Sequence, residues 1–175
     1  SLTAGNTAQP PQELPVVSIT SKPVTVYSEF TASLQGKRDI EIRPQVDGNL
    51  EAIYVDEGAY VHKGQPLFKI DARPYTEQLN NANATLLSAK ASLANALINV
   101  NKLTPLVQNN VISDVQLQSA KAAYDAAKAN VEQAKAQVES AKINVGYTTI
   151  TAPADGYIGT IPFKTGSLVV KSQIG

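Results

Sequence analysis

Leu79-Asn80-Asn81-Ala82-Asn83-Ala84-Thr85-Leu86-Leu87-Ser88-Ala89-Lys90-Ala91-Ser92-Leu93 is the stretch that decides the fold. Leu79, Leu86 and Leu93 recur every seven residues, and Val100 and Val107 continue the series. Ala82, Ala89, Ala96 and Leu103 hold the companion positions three further on. A second series repeats the device, with Leu117, Tyr124, Val131, Val138 and Val145 partnered by Ala120, Ala127, Ala134 and Ala141. A sustained a/d heptad of this kind predicts coiled-coil packing, because it keeps one apolar stripe facing a partner helix. Large residues at one core position and Ala at the other favour close helix approach. Each arm is about 30–35 residues, hence roughly 50 Å long at 1.5 Å per residue.

The arms read as two helices. Pro74 suits the first turn of the first arm. Pro105 is expected to disrupt that arm near its end, since proline removes an amide and crowds the preceding turn. Asn109-Asn110 supplies a terminator, because Asn tolerates the left-handed conformation. Ser113-Asp114-Val115-Gln116 reads as a capping box, with Ser113 as N-cap and Gln116 at the third helical position. Gly146 is the expected residue just past the second arm. So short a link forces the arms to be antiparallel neighbours.

On either side of the helices the pattern changes. From Ile40 to Ile70 it is strand-like, broken by Asp47-Gly48, Glu57-Gly58 and Lys63-Gly64, which read as tight turns. After Gly146 it returns, with Tyr147 to Thr151, Asp155-Gly156, Gly166 and Leu168 to Val170. The two stretches repeat one another at an offset of 108 residues, Ile150 falling on Ile42. Asp47, Gly48, Ile53, Gly58, Val61, Lys63 and Gln65 match Asp155, Gly156, Ile161, Gly166, Val169, Lys171 and Gln173. One half alone leaves an apolar face open, whereas two halves about a pseudo-twofold cover each other as a small β-sandwich. The coiled coil is then an insertion where the halves join. Upstream, residues 1–14 read as a polar flexible leader. Val16 to Thr20 and Val24 to Phe30 read as strands.

Composition narrows the chemistry. The chain has 175 residues, 43% of them hydrophobic, with fifteen basic and fifteen acidic side chains. A zero net charge argues against a nucleic-acid partner, whose phosphates are held by a basic excess. There is no Cys and one His, which excludes thiol chemistry and multi-histidine metal sites. No apolar run approaches the roughly 18–20 residues that span a bilayer. Asp71, Glu77, Asp114 and Asp125 are scattered at spacings that suit no acid/base pair. Asp47-Gly48 and Asp155-Gly156 are turn chemistry, and His62 reads as a surface residue. The expectation is a non-enzymatic protein without cofactor or metal.

Val46-Asp47-Gly48-Asn49-Leu50, Glu57 through Leu67, and Thr151-Ala152-Pro153-Ala154-Asp155-Gly156 together resemble a biotinyl/lipoyl domain split by an inserted hairpin. This is the arrangement of the periplasmic adaptors, or membrane fusion proteins, of RND multidrug efflux pumps (the HlyD type), and the likeness runs from about Pro15 onward. It implies an α+β fold: a split lipoyl-like β-sandwich (barrel-sandwich hybrid) carrying a long antiparallel coiled-coil α-hairpin. The implied organisation is a leader (1–14), N-terminal strands of incomplete membrane-proximal and β-barrel domains (15–38), a first lipoyl-like half (39–72), the hairpin (73–146) and a second half (147–175). By this reading the chain is truncated, the two N-terminal strands lack their partners, and a lipid anchor preceded the leader.

The resemblance also implies partners. They are an inner-membrane RND transporter, an outer-membrane channel protein and further copies of the chain, a hexamer in the assembled pump. The implied location is the periplasm of a Gram-negative bacterium, attached to the inner membrane. At the hairpin tip the family's Arg-x3-Leu-x6-Ser channel contact falls on Lys102, Leu106 and Ser113. Lys102 stands where the family has Arg, which keeps the charge and loses the bidentate fork. Each has a plainer role as well: Ser113 as a helix cap, Leu106 closing the seam, Lys102 as a solvated charge near a helix end. The seam residues Leu79, Leu86, Leu93, Val100, Leu117, Tyr124, Val131 and Val138 hold the hairpin to itself.

Other classes compete. An adaptor of an ABC-type exporter shares the same modules. A lipoyl or biotinyl carrier needs a modifiable Lys at the junction of the halves, and neither Asp71-Ala72-Arg73-Pro74 nor Val145-Gly146 has one. A free-standing coiled-coil scaffold predicts no link to export. A metal-efflux adaptor is disfavoured by the lack of Met and Cys and the single His.

Overall fold

A computed structural model of the chain describes residues 15, 17–25 and 39–171. The chain divides into two units, Ser1–Arg38 and Asp39–Gly175. Within the first, residues 17–25 form no strand and are exposed throughout. The two upstream runs, expected to lack their partners, form no ladder over these residues. β-branched residues alone do not hold a strand, whose amides and carbonyls need a ladder partner. Val16, the remainder of the second run and the leader lie outside the described residues.

The second unit contains β1 (Gly48–Ile53), β2 (Tyr60–Val61), β3 (Pro66–Ile70), α1 (Arg73–Gln108), α2 (Asp114–Tyr147), β4 (Thr149–Thr151), β5 (Gly156–Tyr157) and β6 (Leu168–Val169). The strands form a four-stranded sheet in the order β4-β3-β1-β6 and a two-stranded sheet, β2-β5. All pairs are antiparallel. Two apolar clusters fill the space between them, and each mixes the halves. Val46, Leu50 and Ile70 close around Val169, while Val55, Val61 and Leu67 close around Ala152.

The sequence repeat is realised bond for bond. Gly48 pairs with Val169 and Asn49 with Leu168. Displaced by the repeat, these become Gly156 with Val61 and Tyr157 with Tyr60, which are the observed β2-β5 pairs. The Asp47 carboxylate accepts a hydrogen bond from the Lys171 amide at 2.6 Å, and the Asp155 carboxylate accepts one from the Lys63 amide at 2.7 Å. Gly58 N donates to Ile158 O at 2.7 Å and Gly166 N to Leu50 O at 2.7 Å. Each half thus supplies an acidic turn that clasps the turn of the other. The Asp-Gly pairs are turn residues with a second duty across the domain.

Gly48 is needed for space. A Cβ there would lie 2.6 Å from Ile70 Cγ2, and Ile70 is fully buried. Gly48→Ala is therefore expected to lower stability by about 1–3 kcal/mol, the usual range for overpacking a core. A urea melt of the variant checks this, and an unchanged midpoint would show that Ile70 yields without strain.

The junctions with the helices are built from polar groups. Asp71 accepts from the Arg73 amide at 3.0 Å and pairs with its guanidinium at 2.6 Å. The Arg73 side chain, then its amide, holds the Asp71 carboxyl down to about 2. At the other junction Thr148 is fully buried. Its hydroxyl donates to Val145 O at 2.6 Å and accepts from Lys69 Nζ at 3.2 Å. α2 runs through Gly146 to Tyr147 and is capped by Thr148, so Gly146 is not the terminator expected of it. The buried Thr148 supplies what a left-handed glycine would have done.

α1 and α2 pack along their heptad faces. Leu117, Ala120, Ala127, Val131, Ala134, Val138 and Ala141 are buried on α2, and Tyr124 is half-buried. On α1, Leu79, Leu86, Leu93 and Val100 are half-buried, and no residue is fully covered. Pro105 lies inside α1, which continues to Gln108, so the expected disruption does not occur. So near the end, a proline removes only the bond to the Asn101 carbonyl, on an exposed residue.

Candidate functional site

The hairpin tip is the part of the long insertion that its own seam does not consume. Its backbone is specified closely. Asn110 has φ 56°, the left-handed region that Asn tolerates. Asn110 N donates to Val107 O at 3.0 Å and Val111 N donates to Leu106 O at 2.8 Å. This is the Schellman pattern, with Asn in the place where glycine is commonest. Ser113 then starts α2 in an extended conformation, and its hydroxyl accepts from the Val115 amide at 3.3 Å. Gln116 joins through its backbone, donating to Ser113 O at 3.1 Å. Its side chain makes no hydrogen bond among the described residues, so the cap is one-sided, not the reciprocal box. Asp114 in the first turn complements the positive end of the helix.

The three sequence-predicted contact residues sit at different points of this structure. Lys102 is exposed and Leu106 half-buried, one helical turn apart on the same side of α1. Leu106 also anchors the turn through its carbonyl. Ser113 is exposed across the link. Lys102 lies six residues before the last residue of α1, which has no basic residue in its final turn. The end-of-helix account of its charge therefore fails, because that effect fades within one turn.

Two residues were missed by reasoning from the sequence. Val111 is 66% exposed and Val115 is 74% exposed. Both fall off the heptad, Val111 in the link and Val115 in the first turn of α2, and an apolar residue off the heptad was the signal to follow. No charged residue lies between Lys102 and Asp114. The tip therefore presents two bare valines, Pro105 and amide side chains, flanked by one positive and one negative charge. Such a surface offers shape and apolar contact to another protein. It holds no group placed to move a proton or bind a metal.

Elsewhere the described residues offer less. A groove of about 300 Å³ runs between Ile40–Arg43 and Tyr147–Pro153. Arg43 at its wall is tied to Glu41 at 2.7 Å. His62, with a side chain 76% exposed, stands 3.8 Å from Asp155, and its ring meets Tyr60 edge-on. Among the described residues no His, Asp and Glu cluster suits a metal ion, and no helix is long and apolar enough to cross a membrane.

Comparison with known proteins gives consistent likenesses. The family described as "RND MFP, barrel-sandwich hybrid domain" matches residues 38–174. Multidrug resistance protein MdtE of Escherichia coli O157:H7 is 35% identical over 170 residues, 97% of this chain and 44% of that protein. The efflux pump periplasmic linker BepD of Brucella suis biovar 1 is 34% identical over 94% of this chain and 42% of its own length. Among solved structures, MacA from Actinobacillus actinomycetemcomitans superposes with a TM-score of 0.59 at 33% identity, covering 77% of this chain and 47% of that one. The chain spans less than half the length of the curated relatives it matches.

Proposed function

Because this chain belongs to the RND membrane fusion protein family, by its barrel-sandwich hybrid domain over residues 38–174, we propose that it is the adaptor of a tripartite multidrug efflux pump. In this reading it stands in the periplasm of a Gram-negative cell, attached to the inner membrane. The β-domains of neighbouring copies form a ring above an inner-membrane RND transporter. The hairpin reaches about 50 Å away from that ring and its tip docks on an outer-membrane channel protein. The transporter supplies the energy, and the adaptor joins and seals the conduit without performing a reaction.

The single observation that carries this reading is the tip. A hairpin whose seam is internally satisfied ends in exposed Val111 and Val115 on a tightly specified turn. Isolated apolar residues on a rigid turn are suited to a protein partner. Lys102 adds a charge to the rim of the contact, where it orients more than it binds.

Val111→Asp with Val115→Asp is expected to abolish channel capture by the full-length protein while transporter capture persists. A loss of tenfold or more, about 1.4 kcal/mol, is the expected scale. Lys102→Glu is expected to weaken capture by less. Co-purification and drug susceptibility of cells carrying each variant check both. Both valines are exposed, so the fold is not at stake, and undiminished channel capture by the double variant would refute the tip assignment.

A further inference from the structure

The two clasps that cross the β-domain are alike in their turns and unlike in what stands behind them. Asp155 binds the Lys63 amide, and among the described residues no hydrogen bond joins Asp155 to either helix. Asp47 binds the Lys171 amide at 2.6 Å and has a second partner. Its carbonyl accepts a hydrogen bond from the hydroxyl of Tyr75, in the first turn of α1. The Tyr75 ring is half-buried and packs against Val46, Leu50, Ile70 and Val169.

Residues 47–49 are therefore held on two sides. Toward the hairpin, Asp47 O accepts from the Tyr75 hydroxyl, and Asn49 O accepts from the Asp71 amide at 2.9 Å. Gly48 lies directly against Ile70, with no room for a Cβ between them. On the far side, Gly48 pairs with Val169 and Asn49 with Leu168, and the Asp47 carboxylate binds the Lys171 amide. Three residues thus bridge the base of α1 and the last described residues, 168–171.

We propose that residues 47–49 couple the segment 168–171 mechanically to the hairpin, with Tyr75 and Asp47 as the positioning residues. Hydrogen bonds on both edges leave 47–49 few ways to follow one side without the other. A shift at Lys171 is passed to the start of α1, and a tilt of the hairpin is passed back. The arm amplifies it: a tilt of about 5° at the base carries a tip roughly 50 Å away by about 4 Å. The use of this link rests on the adaptor reading, in which the direction of the hairpin decides whether its tip meets the channel. The Asp155 clasp makes a like bond to an amide and takes no part in the link.

The test is amide hydrogen exchange in the full-length protein, resolved to single residues by fragmentation mass spectrometry. Tyr75→Phe keeps the ring and removes only the hydroxyl. It is expected to speed exchange at the Lys171 amide by about fivefold or more. Asp47→Ala is expected to act on the same scale at the Asp71 and Thr76 amides, which bind Asn49 O and Ala72 O, because coupling between two sites is reciprocal. Asp47→Asn keeps an acceptor oxygen and is expected to fall between Asp47→Ala and the wild type. Asp155→Ala removes the other clasp and is expected to leave Asp71 and Thr76 at their wild-type rates. An effect of Tyr75→Phe confined to α1, or equal loosening of the hairpin base by Asp155→Ala, would overturn the coupling. Export lost on deleting 74–145 keeps the adaptor reading in either case, whereas export retained removes that reading and leaves the exchange result to judge the link.

Discussion

Ala134→Asp is expected to unzip the hairpin at a cost of about 3–4 kcal/mol, the scale of an unpaired charge placed in a packed interior. Ala134 is 3% exposed in the middle of α2. Its neighbours one turn away are Asn130, Val131, Gln137 and Val138, so no cation is within reach on its own helix. The carboxylate must either stay dry or prise α1 away. A substitution at Val131 is a weaker probe, since Lys128 and Lys135 flank that position and can draw an acid outward. The expected signature is a fall in the helical circular-dichroism signal and its melting point, with loss of drug export in the complete protein. Gln133→Asp, next door on an exposed face, is expected to change neither. A wild-type melt for Ala134→Asp would mean that the seam is looser than its burial indicates.

The second large effect concerns the clasps. Asp47→Ala with Asp155→Ala removes both carboxylates that bind the amides of Lys171 and Lys63. A hydrogen bond to a charged group contributes about 1.5–3 kcal/mol when shielded, but the Asp155 side chain is 59% exposed, so about 1 kcal/mol each is the better expectation. A joint loss of about 2 kcal/mol is large for a β-domain whose longest strand among the described residues has six residues. Asn at either position keeps an acceptor oxygen and is expected to recover part of the loss. Chemical denaturation followed by tyrosine fluorescence measures it; Ala and Asn variants that melt alike would assign the effect to something other than these bonds.

Much of this was legible in the sequence, for identifiable reasons. The heptads name the seam residues because a helix has one fixed period, and the same positions are the covered ones. The repeat at 108 residues names the halves. It does not reveal that Asp47 reaches Lys171 and Asp155 reaches Lys63, since a turn motif reads the same whether its side chain serves its own turn or another's. Helix ends were harder. Pro105 is tolerated because so little helix follows it, and Gly146 is passed because a buried Thr148 caps more firmly. The strands upstream of residue 38 were inferred from side-chain preference, which decides little without a neighbour. Val111 and Val115 were overlooked because attention to Lys102, Leu106 and Ser113 came from a motif, whereas exposure is a property of the folded turn.

The crossing of the two halves also bears on the order in which the chain acquires its shape. Lys69 reaches Thr149 across 80 residues of sequence. Closing a flexible loop of that length costs about 4 kcal/mol in chain entropy before any contact is gained. The hairpin changes that problem. Its contacts nearest the tip join residues a few places apart, and zipping toward the base needs no long search. When the last turns meet, Asp71 and Thr148 arrive together and the second set of strands is delivered to the first. The long helical insertion therefore also serves as the closure that lets the β-domain form.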